Sequence, residues 1–186
     1  MALDLLPTTD TKIIRVVEAI FNQAPGYTYL NSFRTYAAEN SIDSLANVLG
    51  NLFSGETGSQ FAARITANLG LTGEVLTAGN AYLEAQFLAY PAARGKVVLD
   101  AMNLLATLES DATFGSVAAA YNATVDVSLS YSTVSTNTSA LAAGIGKTFT
   151  LTASTDNSAL LGTGKNDVYN SVVDLGVASG DTLTSG

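Results

Sequence analysis

From Ile13 to Val125 the apolar residues recur at three- and four-residue intervals, the spacing that puts them on one face of a helix. Thr8-Thr9-Asp10 offers a cap to a first helix carrying Ile13, Val16, Val17, Ile20 and Phe21, which Gln23-Ala-Pro25-Gly26 brings to an end. Tyr27, Leu30, Phe33, Tyr36 and Ala37 define a second helix. Ser41 caps a third, with Ile42, Leu45, Val48, Leu49 and Leu52 inward. Ser54-Gly55-Glu56-Thr57 breaks the pattern, and Phe61, Ile65 and Leu69 mark a fourth helix. Leu76, Leu83, Phe87 and Leu88 belong to a fifth. Pro91 stands near the start of a sixth that buries Val97, Val98, Ala101, Leu104, Leu105 and Leu108. Asp111 caps a seventh with Phe114, Val117, Ala118, Tyr121 and Val125, and the β-branched density after Thr124 leaves its end open.

The pattern then changes. Ser128 to Ala143 is rich in Ser, Thr, Ala and Asn without a period and reads as linker. From Thr148 the chain alternates, with Phe149 and Leu151 between threonines, which is the period of a half-buried strand. Short apolar pieces and Gly/Asp/Asn turns follow one another to Gly186, the rhythm of a stacked β-array. That rhythm is still running at the last residue, so the array is expected to continue in a longer protein. The predicted fold is mainly α: a bundle of six or seven helices at 1–133, a linker at 134–147, and a short solenoid-like β start at 148–186. A spacing of about fifty-three also relates Tyr29-Leu30 to Tyr82-Leu83, Phe61 to Phe114 and Leu52 to Leu105, which suggests a doubled trio of helices.

Charge and composition narrow the function classes. Eight basic residues stand against 16 acidic ones, a net charge of −8, so the clustered cations that phosphate backbones require are missing and no nucleic-acid partner is expected. No run of about twenty apolar residues occurs, and no membrane span is expected. Met1-Ala-Leu-Asp-Leu-Leu-Pro lacks the positive charge and length of a secretory signal. Cysteine and histidine are absent, which removes thiol nucleophiles, disulfides and the side chain best suited to proton transfer at neutral pH. Gly144-Ile-Gly-Lys-Thr148 ends like a phosphate loop, but position 141 is leucine and a strand pattern follows. No Ser-x-x-Lys occurs, and Glu109 with Asp111 suits a helix junction better than an acid–base pair. No enzyme is expected.

The segment TFTLTASTDNSALLGTGKNDVYN, followed by LGVASGDTLTSG, resembles the opening of the repeat region in Gram-negative surface-layer proteins exported by type I secretion. Asn122 to Tyr131, NATVDVSLSY, looks like the closing helix of the helical domain near the N-terminus of such proteins. The resemblance implies a secreted, cell-surface structural protein with calcium-binding β-repeats. It also implies an N-terminal helical domain that attaches a self-associating lattice to lipopolysaccharide. Gly162-Thr-Gly-Lys-Asn-Asp167 approximates the family's calcium nonapeptide, with Lys165 in the place of a small residue.

Two sets of candidate site residues come out of this reading. Asp156, Asn157, Asn166, Asp167 and Asp181 are hard oxygen donors in glycine-rich turns, where carbonyls beside Gly162 and Gly164 would join them around calcium. Ordinary turn chemistry uses the same residue types. In the helical part, Tyr27, Tyr29 and Arg34, and separately Tyr82, Tyr90 and Arg94, offer flat faces and donors to a carbohydrate; helix packing is the other use for them. The favoured reading is a surface-layer-like protein that binds lipopolysaccharide or another surface polysaccharide and supports a lattice. The alternatives are a calcium-dependent adhesin or extracellular filament subunit, and the non-catalytic front of a secreted hydrolase.

Overall fold

The computed structural model describes residues 7–142, 145–151 and 166–171, and the chain divides into two compact units, Met1–Leu141 and Ala142–Gly186. In the first, Thr8 starts helix α1 (Thr9–Phe21) by accepting from the Thr11 amide, and Asn22 ends it at φ 52°. Ile13, Ile14, Val16, Val17, Ala19 and Ile20 are all buried. Five consecutive residues, 16 to 20, are buried, so the second half of α1 is covered on all sides, as expected of a helix at the centre of a bundle. It packs against α2 (Gly26–Asn40), α3 (Ile42–Asn51), α4 (Gly58–Asn68), α6 (Arg94–Leu105) and α7 (Gly115–Ser132). Glu18 is buried with these apolar residues and accepts from the Ser128 hydroxyl of α7.

The remaining helices form two matching trios. Helices α3 and α6 pack on each other, α2 on α3 as α5 (Gly73–Ala89) on α6, and α2 on α7 as α4 on α5. Exchanging α2, α3 and α4 for α5, α6 and α7 therefore leaves these packing pairs unchanged. It also turns the α1–α3 and α1–α4 pairs into α1–α6 and α1–α7. The repeat seen in the sequence, with Tyr29-Leu30 on α2 answering Tyr82-Leu83 on α5, follows the same exchange.

The α3–α6 crossing decides which faces turn inward. A Cβ on Gly95 would lie 1.8 Å from the Ala46 carbonyl oxygen, and one on Gly50 would lie 2.7 Å from the Gly95 backbone. The two helices meet backbone to backbone, through Ala46 and Gly50 rather than through large side chains. Val48 and Leu52, expected inward, are consequently exposed, Leu52 to 66%. Leu88 on α5 is 85% exposed and Leu104 on α6 is exposed, again against expectation. Helix α5 buries only Leu83 and Phe87, because one side of it faces α4 and α6 and the rest faces water.

Other boundaries also moved. A 3-10 turn at Pro91–Ala93 precedes α6. Asp111 holds the amides of Thr113 and Phe114 at 2.8 Å in the turn before α7, whose cap position is Phe114. Helix α7 runs to Ser132, so its last turns occupy residues read as linker. Ser128 and Ser132 are buried there, and the Ser132 hydroxyl accepts from the Gly26 amide at 3.1 Å. Beyond the helix, Asn137 accepts from the Tyr27 amide at 2.7 Å, and strand β1 (Gln23–Ala24) finds its partner at Leu141.

In the second unit, β2 (Ile145–Leu151) pairs in parallel with β3 (Asn166–Ser171), with Phe149 opposite Tyr169 and an irregularity between Ile145 and Thr148. Parallel pairing distinguishes these two strands from a hairpin, whose strands are antiparallel. Among the described residues no helix is long and apolar enough to cross a membrane.

Candidate functional site

Tyr82, Gln86 and Tyr90 follow one another at four-residue steps along and just past α5, a spacing that aligns side chains on one helical face. The 3-10 turn at Pro91–Ala93 then reverses the chain, so that α6 brings Lys96 and Asp100, also four apart, alongside them. Together with Ala93 and Val97 these residues line an open groove of about 380 Å³. Tyr82 is 44% and Tyr90 57% exposed. Lys96 Nζ lies 2.6 Å from Asp100 and 3.7 Å from Asp43. Bonding to the Asp100 carboxylate, and more weakly to Asp43, raises the ammonium above its ordinary range and keeps it charged. The groove thus offers two flat aromatic faces, an amide with donors and acceptors, and a charge pair already neutralised.

Arg94, predicted beside Tyr82 and Tyr90, faces the interior instead. Its guanidinium lies over the Phe61 ring at 4.5 Å and the Phe87 ring at 5.5 Å, and it donates to the carbonyls of Glu56 at 3.0 Å and Thr57 at 3.4 Å. It ties the α3–α4 connection to the start of α6. The rings under it belong to a chain of aromatic contacts running Phe21, Phe53, Phe61, Phe87, with Arg64 over Phe53 at 4.3 Å.

The other predicted trio lies on α2. Tyr29 is 53% exposed and its ring is 6.3 Å from that of Phe33. Tyr27 is half-buried. Arg34 donates to both oxygens of Asp10, at 2.7 and 2.6 Å, and to Asn31 at 2.8 Å, so its fork is committed to fixing α2 on α1. That pairing holds the Asp10 carboxyl below the usual carboxylate range and Arg34 above its own. With Arg34 occupied and Tyr27 half-buried, Tyr29 alone of the three presents a broad free face.

Asp156, Asn157, Gly162, Gly164 and Asp181 lie outside the described residues. Asn166 and Asp167 open strand β3. Among the described residues no cluster of three or more acidic groups is arranged to hold a metal ion.

Sequence reading found the tyrosines of the groove but passed over Gln86, Lys96 and Asp100. Their signal was there: 82-86-90 and 96-100 are two four-residue ladders on either side of a proline turn. No protein-family model, curated protein sequence or solved structure matches the chain.

Proposed function

We propose that the helical unit binds a surface polysaccharide and thereby attaches a surface-layer-like protein to the outer face of a Gram-negative cell. The supporting observation is the groove of Tyr82, Gln86, Tyr90, Lys96 and Asp100. Exposed tyrosine rings accept the C–H faces of pyranoses, and the amide and the ion pair supply donors and acceptors for hydroxyls. A neutralised pair in an acidic protein suits uncharged or weakly charged sugars better than phosphorylated ones. No bond-making chemistry belongs to this reading, and the partner is lipopolysaccharide or a related glycan.

The test is retention of the full chain on smooth lipopolysaccharide compared with a truncated core lacking the outer polysaccharide. Retention on the smooth form only, reduced tenfold or more by Tyr82→Ala with Tyr90→Ala, supports the reading. Equal retention on both forms, or indifference to the double substitution, sinks it.

The second unit enters as a calcium-binding, self-associating segment built on Asp156, Asn157, Asn166, Asp167 and Asp181. Support comes from the residue types and from the parallel pairing of β2 with β3. Amide exchange between Asp156 and Asp181 should slow in millimolar calcium relative to chelator. Identical exchange in both would leave these acids as turn formers.

A further inference from the structure

Tyr82 belongs to two cavities. On one side is the polar groove; on the other is a slot of about 200 Å³ between α4, α5, α6 and the α6–α7 connection. Leu69, Leu71, Leu83, Met102, Leu105 and Phe114 line the slot, and no polar surface faces it. Thr66 contributes only its methyl group, since its hydroxyl is held by the Ala62 carbonyl at 3.1 Å and by Asn80 at 2.9 Å. Gly79 keeps the wall open: a Cβ there would approach Leu71 Cδ1 to 2.9 Å. Ala78, Tyr82 and Leu104 are the exposed members of the lining and mark the mouth.

The chemistry of such a space is restrictive. Water needs two or more polar partners to stay, and the slot has none to give. A sugar hydroxyl or a charge would be stripped of its hydration without compensation. An apolar cavity of about 150 Å³ is enough for benzene, so this one admits a chain of several carbons. The polar groups lie immediately past Tyr82, where a head attached to that chain would emerge.

We propose that slot and groove form one bipartite site for a single-tailed amphiphile with an uncharged sugar head. The tail lies among Leu83, Met102 and Leu105, and the head lies against Tyr82 and Tyr90 with Gln86 and Asp100 as hydrogen-bond partners. This rests on the sugar reading of the groove and adds to it the apolar half of the ligand.

The test uses the full chain and n-octyl β-glucoside below its micelle-forming concentration, followed through the Met102 methyl resonance, with n-octanol in parallel. Saturable movement of Met102 by octyl glucoside is expected, at least tenfold tighter than for octanol, with Tyr90→Ala erasing the difference. Ala78→Phe and Leu104→Asn, both at exposed positions, should each weaken octyl glucoside tenfold or more while keeping the helical circular dichroism. They should also leave retention on polysaccharide unchanged. Octanol binding as tightly as octyl glucoside overturns the bipartite site, and the sugar reading falls with it only if retention on polysaccharide is lost as well. An unmoved Met102 alongside normal polysaccharide retention overturns the slot alone. Concentration-dependent dimerisation that Ala78→Phe abolishes, without uptake of either probe, assigns the slot to a second copy of the chain and overturns the proposal.

Discussion

Asp10 shows how a single side chain ties the bundle together. It sits in the first turn of α1, where a negative charge suits the helix dipole, and it takes both donors of the Arg34 fork from α2. Because Arg34 holds its folded-state pKa below the ordinary value, its contribution to stability is complete above the unfolded pKa near 4 and is lost as pH falls through the depressed value. Asp10→Asn should therefore lower the melting temperature at pH 7, and the gap to the parent should close as the pH is taken below 4. Thermal melts of both proteins across pH 2 to 7 check this; a gap that stays constant with pH would refute it. Glu18 is the opposite case. Its acidic letter reads as solvent-facing, yet it is buried against Ser128. Ser128 lies a hundred and ten residues away and cannot be seen from Glu18's neighbours.

At the scale of elements, the decisive object is the α3–α6 crossing. Gly50 and Gly95 let the two backbones touch, and Asn47 accepts from the Lys96 amide at 2.8 Å in the same place. An alanine at 95 has nowhere to go, because its nearest neighbour is a backbone carbonyl rather than a flexible side-chain end. Gly95→Ala should cost about 3 kcal/mol or more, despite alanine's better helix propensity. Gly55→Ala, where nothing lies within 4 Å, is the control and should change little. Urea unfolding of both variants decides it. If Gly95→Ala were as stable as the parent, the close crossing would be wrong. The same crossing explains why Val48 and Leu52 turned outward. Small residues, not large ones, formed the contacting face, and a search for large apolar residues passes over that face.

For the whole molecule, the question is where the helical unit ends. The predicted boundary at 133 stops at the last turn of α7. The chain beyond it still serves the bundle: Asn137 accepts from the Tyr27 amide, and the Tyr131 hydroxyl donates to the Ser139 carbonyl at 3.1 Å. Gly26 is needed at that point, with φ 76° and a Cβ position 2.3 Å from the Ser139 oxygen. A fragment of residues 1–141 should melt cooperatively with strong helical circular dichroism. A fragment of residues 1–133 should melt roughly 5 °C lower, the effect of losing one or two net hydrogen bonds in a domain of this size. Equal melting of the two would show that the segment after α7 adds nothing to the fold.

The seven helices of the described residues and most of the breaks between them were legible in the sequence, and the change of period was placed at Thr148, three residues after β2 begins. Local spacing, caps and prolines act within a few residues, and they are what the sequence displays. The tyrosines of the groove were legible for the same reason, as residues on one stretch of helix. Tertiary structure alone decided that α1 is central, because several of its faces are apolar and only the arrangement of its neighbours shows that its second half is covered on all sides. It alone decided that Arg94 turns inward to Phe61 and Phe87 while Lys96 and Asp100 join the tyrosines. A long cation can satisfy itself on either side of its helix, and the choice falls to whichever carbonyls and rings the rest of the chain places within its reach.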